Sequence, residues 1–535
     1  MNQKPLLYLD ALRAARARQL AARTLRPINR RRTYAVRSPR DIEPVEKGRN
    51  VWRSAMFAGA DEAAAQLPAG SLNVLGLVVP YPPPDWAPTG LERLRRFHLH
   101  YGEEILGCAR RGGRAHLSAA RGGLESWIAS NPPRRGDGWH PYPLSTRIGN
   151  WVAAVSLEPT LANKRLSESL WRQLVYLERN VEDDILGNHL IRNARALVLG
   201  GLAFEEERLV ARGLALLGRE LPEQVLPDGG HYERSPVYHA LVLRDLLEIR
   251  AVADASQLDD VIDRMKAFSA ALMRPDGQPA LFNDGTLDLA PDMSESVSRA
   301  RPGLTVLRET GYTVVRDGAA FWLAFDCGRA APDFLPPHAH ADGLSFQLWL
   351  DGTPVVVDPG MSTYEPGAER DWLRGTRSHA TVAVDGNDQF QLWGAFRAAR
   401  LASVELLEAA GSEKEGMVTA ELHGFPRASG GVRHLRRLSW SPYGIEVADE
   451  LDGRGRHFVE SALPLAPGIS VGDGLPVRTN GITIEPVGPL ECSVETRWVS
   501  ERLFERLDGP AVVMRGELDL PSTFGWKLTR GARPG

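Results

Sequence analysis

From about residue 85 to about residue 300, apolar side chains recur at three- and four-residue spacing. TLANKRLSESLWRQLVYLERNVEDDIL, LIRNARALVLGGLAF, ERLVARGLALLGREL and VYHALVLRDLLEIRAVAD each hold that period over a length suited to a helix. Short connections carrying Gly, Pro or Asp join them. After about residue 305 the period falls to two. In GLSFQLWLDGTPVVVDPG, Leu344, Phe346, Leu348 and Leu350 alternate with Ser345, Gln347 and Trp349, and Asp351-Gly352 predicts a tight turn between two strands. FWLAFDCG, TVAVDGNDQF, RRLSWSPYGIEVADEL, GITIEPV and PAVVMRGELDL continue as short strands with Gly or Asp turns, the pattern of an antiparallel sandwich. Helices first and strands second predict a multidomain α+β chain and exclude a βαβ fold. The divisions expected are a basic helical and linker segment over 1–84, helical hairpins able to wrap into an α/α toroid over 85–304, and an antiparallel β-sandwich over 305–535.

Composition narrows the class without naming it. The 535 residues are 43% hydrophobic and 24% charged with a formal charge of −3, so the chain can bury large cores and is no generic nucleic-acid binder. Cys108, Cys327 and Cys492 are too far apart for a CxxC pair or a disulfide framework and read as isolated buried thiols. No run of about 18 apolar residues is present, which predicts no membrane-spanning helix. The opening MNQKPLLYLDALRAARARQLAARTL breaks every apolar run with Asp or Arg, so no export signal is expected and the sequence alone points to the cytoplasm. Between Arg13 and Arg40 the chain is Arg-rich, the mark of a solvated helix with its linker, or less often of a helix touching a membrane or a polyanionic sugar.

Histidines in Pro-, Gly- and Asp-rich loops carry the candidate chemistry, since loops on rigid scaffolds are where sites sit. In DGGHYERSPVYH, Ser235-Pro236 predicts a helix start that puts Tyr238 in the first turn, where the dipole favours negative charge. In PHAHADG, His338 and His340 precede a strand. His340, Asp358 and His379 together offer two imidazoles and a carboxylate, a set suited to Zn²⁺, although their separation resembles no compact zinc finger. Asn188 before LIRNARAL reads as a helix cap or as a donor to a substrate carboxylate. HPYPLSTRIGNWV, with Tyr142, Arg147, Asn150 and Trp151, mixes aromatic and polar groups as sugar clefts do, and equally as helix packing does.

In order along the chain, RIGNWV, GNHLIRNARAL, LPDGGHYERSPVYH, PHAHADGLSFQLWLDGTPVVVDPG and RSHATVAVDG resemble the heparinase II/III-like polysaccharide lyases. The resemblance implies an incomplete α/α toroid followed by a β-sandwich, with a cleft between them. It implies β-elimination at a uronate of an acidic polysaccharide or oligosaccharide, and a periplasmic location. It further implies that Asn188 neutralises the uronate carboxylate, and that Tyr238 (with Tyr232 second in rank) and His338 are the catalytic pair. Arg147, His189, His231 and Glu233 would line the cleft, and His340, Asp358 and His379 would hold a structural zinc. Two other readings stay open. A glycoside hydrolase would need two carboxylates from Asp228, Glu233, Asp284 and Asp342. A carbohydrate-binding or scaffold protein of exopolysaccharide assembly would need no turnover. Oligomeric state is not fixed by the sequence.

Overall fold

A computed structural model describes residues 4–31, 38, 40–318, 321–425, 430–472, 476–479 and 482–531. In the helical half, Pro141–Leu157 and Asn188–Ala203 are buried along almost their whole length. Lys164–Arg179 and Glu207–Gln224 bury only one stripe each. That difference separates an inner from an outer layer, because a helix apolar all round must be enclosed while an amphipathic one can face water. The result is the incomplete α/α toroid. Asn163 caps Lys164–Arg179, its side chain accepting from the Leu166 amide at 2.9 Å.

The helical unit begins earlier than its period announces. Ile42, Val45, Trp52, Phe57, Leu67, Leu72 and Tyr81 are buried in the same apolar cluster as the ring helices, so the expected boundary at 84 moves back to about residue 42. Arg49–Arg53 and Ala58–Ala64 are too short to show a period in the sequence. The Arg-rich lead forms the helices Lys4–Ala14 and Ala17–Arg31, and residues 32–37 and 39 of that stretch lie outside the described residues. This arm is docked on the molecule: Arg18 pairs with Glu220 at 2.8 Å, Arg26 pairs with Asp184 at 2.6 Å, and the Arg16 guanidinium lies 3.6 Å from the centre of the Phe334 ring.

In the second half, Gly303–Leu307, Tyr312–Asp317, Phe321–Asp326, Phe346–Leu350 and Thr353–Val356 form an antiparallel sheet in simple sequential order. The chain turns between the last two through Asp351 (φ 50°) and Gly352 (φ 76°), two left-handed residues as a type I′ hairpin requires. A second antiparallel sheet is built around the long strands Gly444–Pro464 and Leu507–Arg530. Leu323, Phe346 and Leu348 of the first sheet meet Leu422, Leu438 and Val447 of the second, which is the sandwich core. The opposite face of the first sheet, through Trp322 and Trp349, packs on Phe268 and Leu272 of the toroid. The alternating strand 346–350 is therefore buried on both faces, a consequence of the helical layer that alternation alone does not reveal. Among the described residues no helix is long and apolar enough to cross a membrane. Cys108 and Cys327 are buried free thiols, whereas Cys492 is half-buried.

Candidate active site

A cavity of about 1010 Å³ opens between toroid and sandwich, lined among others by Tyr142, Asn188, His189, Glu233, Tyr238, His338 and Tyr364. Asn188 is the first residue of its helix and does not cap it. Its side-chain nitrogen instead donates to Glu233 Oε2 at 3.0 Å, and its backbone N–H donates to Glu233 Oε1 at 2.8 Å. Gly187 (φ 60°) makes this approach possible, for a Cβ there would fall 2.0 Å from Glu233 Oε1. Against the upward push of burial, His231, His338 and Asn188 hold the Glu233 carboxyl below its usual range. His189, its ring 4.4 Å from that of Tyr142, faces Glu182 Oε1 at 3.1 Å through Nδ1.

Tyr238 lies in the first turn of Pro236–Val252, as the Ser-Pro signal predicts, although the Ser235 side chain makes no capping bond. The expected easing of phenolate formation is overturned: burial, then the neighbouring Tyr364 and Asp284, push the Tyr238 hydroxyl well above its ordinary value. A helix dipole supplies only tenths of a kcal/mol to about 1 kcal/mol, and enclosure outweighs it. Tyr238 shares a 2.7 Å hydrogen bond with the Tyr364 hydroxyl and stacks on His338 with ring centres 4.1 Å apart. His338 Nδ1 meets Asp284 Oδ2 at 2.9 Å, which leaves Nε2 towards the cavity side, 3.6 Å from Glu233 Oε2. Asp284 is fully buried, takes His340 Nε2 at 2.9 Å on its other oxygen, and is forked by Arg370. Against the cost of burial, Arg370 and the two histidines hold the Asp284 carboxyl well below the carboxylate range.

Several residues proposed from the sequence stand elsewhere. Arg147 is fully buried, bonded to Gln173 Oε1 (3.0 Å) and to the carbonyls of His100 (2.9 Å) and Gly138 (2.7 Å), and braces the toroid core. Trp151 is buried beside it, whereas Tyr142 and Asn150 do reach the cavity. His231 sits behind the wall on Gln224 Oε1 at 3.0 Å, and burial lowers it to about 4. Tyr232 is used structurally, its hydroxyl accepting the Gly187 N–H at 3.0 Å. Of Asp228, Glu233, Asp284 and Asp342, only Glu233 lines the cavity. Sequence reading missed Tyr364 and the supporting role of Asp284. Their segments STYEPG and FNDGT carry turn residues but no helical or strand period that would mark them.

The structure also gathers a candidate metal group. One ligand atom each from His340, Asp342 and His379 lie within 4.8 Å of one another, and Asp358 is not one of them. Asp358 Oδ2 lies 3.0 Å from His379 Nδ1, and His379 Nε2 donates to the Leu373 carbonyl at 3.1 Å, so Nδ1 is the nitrogen left to face an ion and Asp358 stands beside it. His340 Nδ1 and both oxygens of Asp342 are buried without a hydrogen-bond partner. Burial and the nearby Asp358 lift Asp342 to about 7. Orphaned donor atoms and a carboxylate unable to ionise freely fit a divalent cation.

Comparison with known proteins agrees with this architecture. The description "Heparinase II/III N-terminus" matches residues 122–301 and "Heparinase II/III-like, C-terminal" matches residues 299–518. A heparin-sulfate lyase of Bacteroides thetaiotaomicron is 24% identical over 330 residues, 49% of this chain and 47% of that protein, so the chain spans about half the length of this relative. FtsZ-localized protein C of Caulobacter vibrioides is 27% identical over 421 residues, 74% of this chain and 67% of that one. The crystal structure of heparinase III superposes with a TM-score of 0.71 at 18% identity, covering 96% of this chain and 90% of that one. Helical ring, sandwich and the motifs of the intervening cleft together place this chain in the heparinase II/III-like family.

Proposed function

We propose that the protein is a polysaccharide lyase that cleaves a uronate-containing acidic glycan by β-elimination. The observation that carries this reading is the meeting of the Asn188 amide, the Tyr238 phenol and the His338 imidazole around one cavity. The C5 proton of a uronate is a weak acid, so its removal needs stabilisation of the carboxylate as charge spreads into it. Asn188, its amide oriented by Glu233, donates to that carboxylate, with His189 on the same wall. His338, steadied at Nδ1 by Asp284, takes the C5 proton at Nε2. The C4–O4 bond then breaks as the C4=C5 bond forms. Tyr238 gives its proton to the departing O4, a role suited to a phenol that enclosure keeps protonated. A divalent metal on His340, Asp342 and His379, zinc by family analogy, would fix the loop that carries His338 and supplies no step of the reaction.

The test is ultraviolet absorbance of a 4,5-unsaturated uronate during incubation with a panel of uronate polymers. Folded protein that releases no unsaturated product from any of them overturns the lyase reading. The match to FtsZ-localized protein C over 74% of this chain keeps a second reading, a carbohydrate-binding or scaffold protein. Glycan binding without turnover across the same panel would select it.

A further inference from the structure

The two helices of the basic arm, Lys4–Ala14 and Ala17–Arg31, are docked with their polarity inverted. A surface helix ordinarily buries its apolar stripe and turns its charges to water. Here cations and an amide face the protein. Arg16 pairs with Glu223, Arg18 with Glu220 and Arg26 with Asp184, and the buried Gln19 donates to the Phe334 carbonyl at 3.3 Å. The leucines face water: Leu6, Leu9, Leu12, Leu20 and Leu25 are each between 37% and 58% exposed, and among the described residues of the arm only Leu7 is a buried leucine. Leu6, Leu9 and Leu12 follow one another at three-residue spacing and so share a face of the first helix.

The charge of this segment is one-sided. Residues 1–40 hold eleven lysines and arginines against Asp10 alone, in a chain whose total is −3. Arg13 is largely exposed and reaches only Asp10 of its own helix, at 3.6 Å, and that carboxylate also holds Arg400 at 2.9 Å. Arg23 is exposed and forms no ion pair among the described residues. Exposed leucines beside unneutralised arginines make up a helix that lies in a lipid–water interface. A polyanionic sugar would need the arginines already engaged by Glu220, Glu223 and Asp184, and would leave the leucines in water. A second copy presenting the same face would set arginine against arginine. The arm is also clamped to both halves of the molecule. Asp10 and Tyr8 hold the sandwich through Arg400 and the Trp393 ring, whose centre is 6.0 Å from that of Tyr8, while Arg18 and Arg26 hold the toroid.

We infer that this arm is an interfacial anchor, whose leucine face lies in the headgroup region of an anionic lipid bilayer and holds toroid and sandwich against the membrane surface. Anchoring of this kind does not depend on lyase activity. The full chain is floated with vesicles of phosphatidylcholine alone and of phosphatidylcholine with 30 mol% phosphatidylglycerol, near 0.1 M salt. Partitioning into the anionic vesicles is expected to be at least about tenfold stronger than into the neutral ones, and to weaken as salt is raised. The triple variant Leu6→Ser, Leu9→Ser, Leu12→Ser should lose at least about tenfold of it, because the apolar area that enters the interface is gone. Its melting temperature should stay at that of wild type, since those side chains already face water. Arg13→Gln with Arg23→Gln, which leaves the leucines in place, should weaken it by about tenfold. Absence of partitioning, equal partitioning into both vesicles, or wild-type partitioning by either variant overturns the inference. Retention on immobilised heparin without vesicle binding assigns the arm to a polyanionic sugar instead. A dimer in analytical ultracentrifugation that the leucine variant loses, again without vesicle binding, assigns it to a second copy.

Discussion

Replacing Asp284 with Asn tests the link between the buried charge network and the proposed base. Asp284 is fully enclosed and joins His338 Nδ1 (2.9 Å), His340 Nε2 (2.9 Å) and Arg370 Nη2 (2.8 Å). Asparagine keeps the shape but removes the only carboxylate that Arg370 touches among the described residues. A buried cation left without its partner costs about 3–5 kcal/mol. The amide also presents one acceptor where the carboxylate presents two, so the His338 tautomer is no longer imposed. Loss of an oriented general base lowers turnover by roughly 10²–10⁴-fold. Two measurements separate the effects: denaturant unfolding for stability and the ultraviolet assay for kcat. Adding Arg370→Met to Asp284→Asn removes the stranded charge and is expected to restore most of the stability while leaving turnover low. A folded Asp284→Asn enzyme with unchanged kcat would refute the assignment of His338 as a base positioned by Asp284.

Four further outcomes are expected. Tyr238→Phe abolishes elimination with the fold intact, whereas Tyr232→Phe leaves kcat near wild type and lowers stability by roughly 1 kcal/mol, which unfolding and rate assays distinguish. Dialysis against a chelator lowers the melting temperature of wild type and has little effect on Asp342→Asn, with metal content checked by elemental analysis. Glu104, driven up to about 8 chiefly by burial, contributes stability below its unfolded value near 4.5 that is lost as pH rises to about 8, so Glu104→Gln flattens that decline in a pH series of unfolding curves. Arg147→Met strands the carbonyls of His100 and Gly138, at about 1–3 kcal/mol for each unsatisfied group, and leaves KM unchanged because Arg147 does not line the cavity.

The linear pattern determined what local geometry determines. Three- and four-residue periodicity gave the ring helices, and alternation with Asp351-Gly352 gave the hairpin at 346–356, because both depend on neighbours a few residues apart. Ordered motifs also brought Asn188, Tyr238 and His338 forward as a group. What depends on partners distant in sequence was decided only by folding. Arg147 and Asn188 look alike as polar residues of motif-bearing helical segments, yet one faces the core and the other the cavity. Asp342 joins His340 and His379 in one buried group, with Asp358 against His379, a convergence that no spacing records. Tyr238 is a first-turn residue by sequence, and its resistance to ionisation comes first from burial and then from the neighbouring Tyr364 and Asp284. Periodicity records which face of an element is buried, and tertiary packing decides what is buried against it.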